Sequence, residues 1–267
     1  MSWPLFTRTL AWQRTRWIIV SLALFGWGIL IPVFYTAFSD VIRDLANSGA
    51  FPEELLNFGS GSLFSLPGAV TLGTQHPIAI AMVSVFAVGA TSTAIAGERQ
   101  RGTLEVLLAR PLSRTVVYVS ITLGLLLVVA VVVAALIAGF VAGAALQGVL
   151  DDLPIEHLPM VFLNGVLLWG AMATFGLAAS VSFDRAGPAI GLTLAYVLVN
   201  YFFEILGSLW DAAEWTQEYS LFHHFNSTEI LGGAFEPIDL LICGLALVIP
   251  IAYALVVFPR RDLGAPA

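Results

Sequence analysis

Six long apolar runs constrain the fold of this 267-residue chain more than any other feature. Each run has about 20 residues or more, which is enough to cross roughly 30 Å of hydrocarbon as an α-helix. The runs are continuous and lack the alternation of outer-membrane strands, so we predict helices rather than a β-barrel. The predicted spans are residues 17–38, 77–96, 115–146, 159–181, 188–209 and 238–258. The sequence therefore predicts an all-α polytopic membrane protein, with residues 1–267 as a single transmembrane domain.

The positions of the arginines predict the orientation of these spans. Ten of the eleven basic residues fall before the first span or after the second, fourth or sixth, and Arg43 alone falls on the other side. The ten are Arg8, Arg14, Arg16, Arg99, Arg101, Arg110, Arg114, Arg185, Arg260 and Arg261. Because arginine-rich loops stay in the cytoplasm, we expect both termini to be cytoplasmic.

The composition excludes several kinds of site. The chain has no lysine, so it cannot contain the Gly-x-x-x-x-Gly-Lys-Ser/Thr loop that holds ATP phosphates. Its one cysteine, Cys243, falls in the sixth predicted span, which excludes a disulfide framework and a cysteine-based metal site. We predict no cofactor in this chain, no enzymatic activity of its own and no nucleic-acid partner.

The loop at residues 97–114 carries the strongest local signal. Six of its eighteen residues are charged, in a chain where 11% of residues are charged. Thr103 is placed to cap a short helix, Glu105 falls in its first turn, where the helix dipole favours an acid, and Pro111 ends it. Three leucines would share one face of this helix: Leu104, Leu107 and Leu108. We interpret the loop as a surface helix onto which a partner docks, because positive-inside anchoring alone would not explain its glutamates.

Two other segments are expected to lie along the membrane surface. Residues 1–16 form an amphipathic lead-in, whose arginines would contact headgroups. Residues 39–76 form the longest outer loop. The outer segment at residues 210–237 combines aromatic and acidic residues, so we expect one or two short interfacial or partly re-entrant helices there.

The loop carries a family resemblance. Its pattern Glu98-Arg99-x-x-Gly102-Thr103-Leu104-Glu105-x-Leu107-Leu108-x-x-Pro111-Leu112-Ser113-Arg114 resembles the cytoplasmic loop of type 2 ATP-binding cassette (ABC) permeases. The six spans, the cytoplasmic termini and the outer segment before the last span are similar to the same family. The resemblance covers essentially the full length of the chain.

This resemblance implies a partner and a role. The loop would be a coupling helix that docks on a separate ABC ATPase subunit, which would hold the ATP and Mg²⁺. The contacting residues would be Glu98, Arg99, Gly102, Thr103, Glu105, Leu107 and Leu108. A second contact would come from Asp184 and Arg185, and residues 1–16 would form an interface helix. A second permease chain, identical or different, would complete a transporter in a prokaryotic plasma membrane, and most family members export.

Several other residues leave alternatives open. Glu204 is the one acid well inside a predicted span, and Asn200 lies one turn earlier on the same face, so both could line a translocation path or pack at the outer interface. Gly139 and Gly143 have the spacing of a dimerisation face, although packing within the chain would use the same pattern. The four histidines could hold a metal beside outer acids, but no ligand spacing recurs among them: His76, His157, His223 and His224.

Two rival functions are weaker. An ion-coupled secondary transporter would show broken helices and buried acids near the midplane, and neither is evident in the sequence. An intramembrane enzyme would need paired catalytic groups at membrane depth. Glu204 is the one acid well inside a predicted span, and no histidine falls in any of them. The cargo is not encoded in any motif, so lipid, drug, peptide and ion all remain open.

Overall fold

Most of the described residues lie in α-helices. The computed structural model describes residues 1–48, 57–58, 61–62, 65–109 and 111–261, with the backbone alone at 42–43, 45–47, 57–58, 61–62 and 107–108. The α-helices are α1 (Trp3–Trp12), α2 (Arg14–Asn47), α3 (Leu66–Gln75), α4 (Pro77–Thr93), α5 (Ala96–Gln100), α6 (Thr103–Leu108), α7 (Arg114–Gln147), α8 (Leu158–Ser182), α9 (Ala186–Leu209), α10 (Ser227–Leu231) and α11 (Pro237–Arg260). Short 3₁₀ segments lie at Leu150–Asp152, Ile155–His157 and Asp211–Tyr219, and Asn57–Phe58 pairs antiparallel with Gly61–Ser62.

The helices confirm the all-α polytopic membrane class. Within the described residues, α2, α7, α8, α9 and α11 are each long and apolar enough to cross a membrane. Helices α3 and α4 meet that test together as a pair bent by 44°. With the bent pair counted as one span, the fold has the six spans that the sequence predicts.

The helical path of the second span begins earlier than the sequence predicts. It was expected at 77–96 after an outer loop reaching residue 76, but the helical path begins at Leu66 and α4 ends at Thr93. The Ser65 hydroxyl accepts a hydrogen bond from the Gly68 N–H at 3.1 Å and so caps α3. Pro77 has no N–H and disfavours helical backbone at His76, which breaks the path there. The expectation that no broken helix is present is therefore wrong.

Small residues bring α2 and α7 into close contact. A Cβ atom on Gly28 would lie 2.5 Å from the Leu136 carbonyl oxygen and 2.9 Å from the Gly139 Cα atom. A Cβ atom on Gly143 would lie 2.7 Å from the Ile29 carbonyl oxygen. The Gly139–Gly143 face therefore packs within the chain, against α2, which decides between the two roles that the sequence left open.

Helices α4, α7, α9 and α11 pack around α8. Among the five unbroken spans of the described residues, α8 is the most buried and α11 the least buried. Helices α9 and α11 expose many large apolar side chains, as helix faces in contact with lipid do. Helix α1 lies against α7, and the Ser2 N–H donates to the Ser120 hydroxyl at 2.7 Å. This contact places the amphipathic N-terminal helix at the end of the bundle where α7 begins.

We predict that Gly28→Ala destabilises the protein by about 1–3 kcal/mol, because the new methyl group would overlap the α7 backbone. Gly26→Ala is the matched control, since a Cβ atom at Gly26 would meet nothing within 4 Å. Thermal unfolding in detergent should show a melting temperature several degrees lower for Gly28→Ala alone. Equal melting temperatures would contradict the close approach of α2 and α7.

Candidate functional site at the arginine-rich end

The loop at residues 97–114 folds as two short helices joined by a left-handed glycine. Helix α5 ends at Gln100, and Gly102 has φ = 71°, a conformation that glycine adopts without strain. Helix α6 then begins at Thr103, one residue earlier than a cap at that position implies. The predicted cap is wrong: Gly102 occupies the N-cap position, and the Thr103 hydroxyl instead donates to Glu98.

Glu98 is a buried carboxylate that joins three elements. Its Oε2 atom accepts from the Thr103 hydroxyl at 2.7 Å, and its Oε1 atom lies 2.8 Å from an Arg101 Nη atom. An Arg8 Nη atom of α1 lies 3.6 Å from the Oε2 atom. Only 5% of Glu98 is exposed. Because a buried charge requires partners, this carboxylate ties α1 and α6 to α5.

A second ionic cluster joins the loop to the far end of the chain. An Arg99 Nη atom lies 2.7 Å from the Asp184 Oδ1 atom, in the turn between α8 and α9. Arg261, just after α11, also donates to the Asp184 carboxylate, and to the Val181 carbonyl oxygen at the end of α8. Two arginines from distant parts of the chain, Arg99 and Arg261, therefore share the Asp184 carboxylate.

Two further contacts complete the arginine-rich end. The Arg114 guanidinium donates to the Arg261 carbonyl oxygen at 2.6 Å and also contacts the Phe258 carbonyl oxygen. A cation at these last carbonyl groups of α11 is favourable, because they have no helical partners. The Gln100 side chain accepts from the Ala186 N–H at 3.0 Å, where α9 begins. The loop at residues 97–114 is therefore held by α1, the α8–α9 turn and the end of α11.

The predicted docking residues divide into a buried and an exposed set. Glu98 and Arg99 are buried in contacts within the chain, and Leu104 is also buried. An exposed surface remains, which we call the α6 surface: Gly102, Thr103, Glu105, Val106 and Ala109. Val106, which the sequence did not single out, is 71% exposed. The side chains of Leu107 and Leu108, and the whole of Arg110, lie outside the described residues.

Comparison with known proteins gives the family. A family model described as ABC-2 family transporter protein matches residues 8–263, which is nearly the whole chain. The chain belongs to this family. A search of curated proteins finds no match. As an ABC-2 family member, the chain is a membrane subunit of an ABC transporter, as the resemblance of the 97–114 loop implied.

At the opposite end of the permease, Asn200 and Glu204 bind the outer segment. The Asn200 Oδ1 atom accepts from the Leu221 N–H at 2.9 Å, and the Asn200 carbonyl oxygen accepts from the Ser220 hydroxyl at 2.9 Å. The Gln217 amide donates to the Glu204 Oε1 atom at 3.3 Å. Both side chains thus hold the 3₁₀ segment and the turn after it, and a role for them in the translocation path stays a prediction.

The outer segment is fastened by further polar contacts, some of them from the histidines. Nδ1 of His224 lies 2.7 Å from the Asp239 Oδ1 atom at the start of α11, and the Asn164 amide donates to the His224 carbonyl oxygen. Nδ1 of His157 lies 3.0 Å from the Leu231 carbonyl oxygen. Among the described residues, no three His, Cys, Asp or Glu side chains converge as metal ligands do.

Sequence reasoning missed the residues that hold the loop in place. The sequence does not predict the partners of Arg8, Arg114 and Arg261, each of which makes a specific contact at this end. Arg8 lies 90 positions from Glu98 in the sequence, and Arg114 lies 147 positions from Arg261. The one available signal was the excess of arginine itself, which does not specify partners.

We predict that Glu98→Gln loosens the 97–114 loop without preventing membrane insertion. The change removes one charge of two ion pairs and weakens the loop by about 1–2 kcal/mol, a discounted value because both arginines are about half exposed. Hydrogen exchange at residues 96–104 should become about tenfold faster. Glu105→Gln, at an exposed position, is the control, and equal exchange in both variants would refute the role of Glu98.

We also predict that Asn200→Leu loosens the outer segment. This change leaves the buried Leu221 N–H without an acceptor, which costs about 1–3 kcal/mol. The Leu221 amide should then exchange at least about fivefold faster. Ser208→Ala on the same helix removes only a local contact to the Ile205 carbonyl oxygen and should leave that rate unchanged. An unchanged exchange rate of the Leu221 amide in Asn200→Leu would contradict the contact between Asn200 and Leu221.

Proposed function

We propose that this chain is the permease of an ABC exporter, driven by a separate cytoplasmic ATPase that docks on the 97–114 loop. The observation that supports this proposal most is the α6 surface, which is exposed although the residues directly beneath it are buried and paired. A surface that is polar and exposed but rigidly supported suits a docking partner.

We assign different roles to the buried and the exposed residues of the loop. Glu98 and Arg99 act as internal supports, while Glu105 and Val106 on the α6 surface meet the ATPase. Arg185 is exposed in the α8–α9 turn, next to Asp184, and forms the second contact. These two surfaces are joined by the ion pair of Arg99 with Asp184 and by the hydrogen bond of Gln100 with Ala186.

The same contacts explain how a push on α6 would reach the spans. Packed helices move as rigid bodies, so a displacement of the loop passes to the elements that are fastened to it. Helix α5 is fastened to the start of α9 through Gln100, and to the end of α11 through Asp184 and Arg261. ATP-driven closure of the ATPase would in this way switch the route between inward and outward access.

A groove between α4 and α9 supports a route for an amphipathic cargo. Its volume is about 520 Å³, and it is lined by apolar side chains together with two polar ones, Ser84 and Tyr201. Both hydroxyl groups are buried without a hydrogen-bond partner in the described part of the chain. Apolar walls with a few available polar groups are typical of ligand sites. A second permease chain facing this groove, identical or different, would close the route.

Orientation and location follow from the proposed docking. The arginine-rich end faces the cytoplasm, as positive-inside charge favours, and the membrane is the plasma membrane of a prokaryote. ATP and Mg²⁺ belong to the partner subunit. This chain contributes no cofactor and no catalytic group of its own.

One observation favours the rival secondary transporter. The α3–α4 pair is bent by 44°, and broken spans are a feature of ion-coupled transporters. The exposed α6 surface has no role in that mechanism, however. Transport that persists after ATP is removed would favour the rival.

We predict that Glu105→Lys prevents co-purification of the ABC ATPase that partners this chain. Charge reversal on an exposed surface spares the fold but opposes the docking partner, so recovery of the ATPase should fall about tenfold or more. Pull-down from detergent-solubilised membranes with the tagged permease measures this recovery.

Asp151→Lys is the matched control, because Asp151 is also exposed but lies beyond the other end of α7. It should leave recovery of the ATPase unchanged. Full recovery with Glu105→Lys, or equal loss with both variants, would refute docking at the α6 surface.

A further inference from the structure

A cavity lies between α1 and the facing sides of α4 and α7, close to the loop at residues 97–114. It is small, with a volume of about 40 Å³, and it is partly open to solvent. Its apolar wall is formed by Leu5, Ala90, Ala94, Ile121 and Leu125. Its polar side is formed by Arg8 and Trp12 of α1, together with Gln13 and Glu98. The cavity is therefore amphipathic, with an apolar wall beside an arginine.

Two guanidinium groups share one carboxylate at this polar side. Arg8 and Arg101 both lie within ion-pair distance of Glu98, and both side chains are about half exposed. Their guanidinium carbons lie 6.0 Å and 5.1 Å from the centre of the Trp12 ring, so one aromatic ring contacts both cations. Two cations against one anion leave an excess positive charge, and each guanidinium has N–H donors left over for a further acceptor.

We propose that this site binds the phosphate group of an anionic phospholipid, with an acyl chain of the lipid along the apolar wall. Arginine forks match phosphate oxygens in geometry and charge. A lipid is favoured over a soluble phosphate because the cavity wall is apolar. It is also favoured because α1 exposes Trp3 and Trp12, the kind of residues that anchor a helix at the headgroup level.

A lipid at this site would act on the loop as well as on α1. Its phosphate would compete with Glu98 for Arg8 and Arg101, the same arginines that tie α1 to α5 and α6. The anionic lipid content of the membrane would therefore tune the rigidity of the 97–114 loop. The lipid site stands on this geometry and does not depend on the identity of the ATPase or the cargo.

Native mass spectrometry of the purified full-length chain tests the site. The chain is mixed with equal amounts of phosphatidylglycerol and phosphatidylcholine, and the lipid retained is counted. The wild-type chain should retain phosphatidylglycerol preferentially. The double variant Arg8→Gln/Arg101→Gln should lose about fivefold in that preference for each arginine removed. Arg260→Gln removes an exposed arginine at the end of α11 and should leave the preference unchanged.

Two further arms make the test decisive. The variant Arg8→Lys/Arg101→Lys keeps both charges but loses the guanidinium forks, so its preference for phosphatidylglycerol should fall between those of the wild-type chain and the double glutamine variant. Glycerol phosphate in millimolar excess, which has the headgroup chemistry without acyl chains, should not displace the lipid. The proposal is overturned by equal retention of both lipids, by an undiminished preference in the double glutamine variant, by a preference in the lysine variant equal to that of the wild-type chain or of the glutamine variant, or by displacement with glycerol phosphate.

Discussion

The pairing of buried charge at one end of the helical bundle is the interaction on which the rest of this structure depends. Glu98 and Arg99 are adjacent and nearly inaccessible, and a buried unpaired charge would be strongly destabilising. Each therefore takes partners from other parts of the chain: Glu98 from α1 and α6, and Arg99 from the turn between α8 and α9. Because Asp184 also binds Arg261, the two pairs connect the first helix of the chain to the end of the last.

This arrangement fixes the short loop in place, as the proposed docking requires. A six-residue helix such as α6 is not stable on its own, since isolated helices of this length are marginal in water. Here the Thr103 hydroxyl and the left-handed Gly102 fix where α6 begins relative to α5. The exposed Glu105 and Val106 are thereby presented on a supported surface. In the proposed mechanism, force applied to that surface would reach α9 and α11 through the contacts of Gln100, Arg99 and Asp184.

Much of the fold could be predicted from the sequence, and the failures have physical causes. Long apolar runs identify spans reliably because no other structure satisfies their backbone in lipid. Helix α3, which precedes the predicted second span, was missed because it contains Gly73, Thr74 and Gln75, which lower its hydropathy although they are buried. The loop helix was found from its leucines, its glutamate and Pro111. Its supports were not found, because a contact such as that between Arg99 and Asp184 depends on tertiary folding and leaves no local pattern.

The central claim is that an ATPase grips the α6 surface, and site-specific photocrosslinking tests it most directly. A photoreactive amino acid would replace Val106 on the α6 surface and, separately, Trp215 in the outer segment, where both side chains are largely exposed. We expect a covalent adduct with the ATPase subunit from position 106 and none from position 215. An adduct from position 215, or none from position 106 in a complex shown to be assembled, would contradict it.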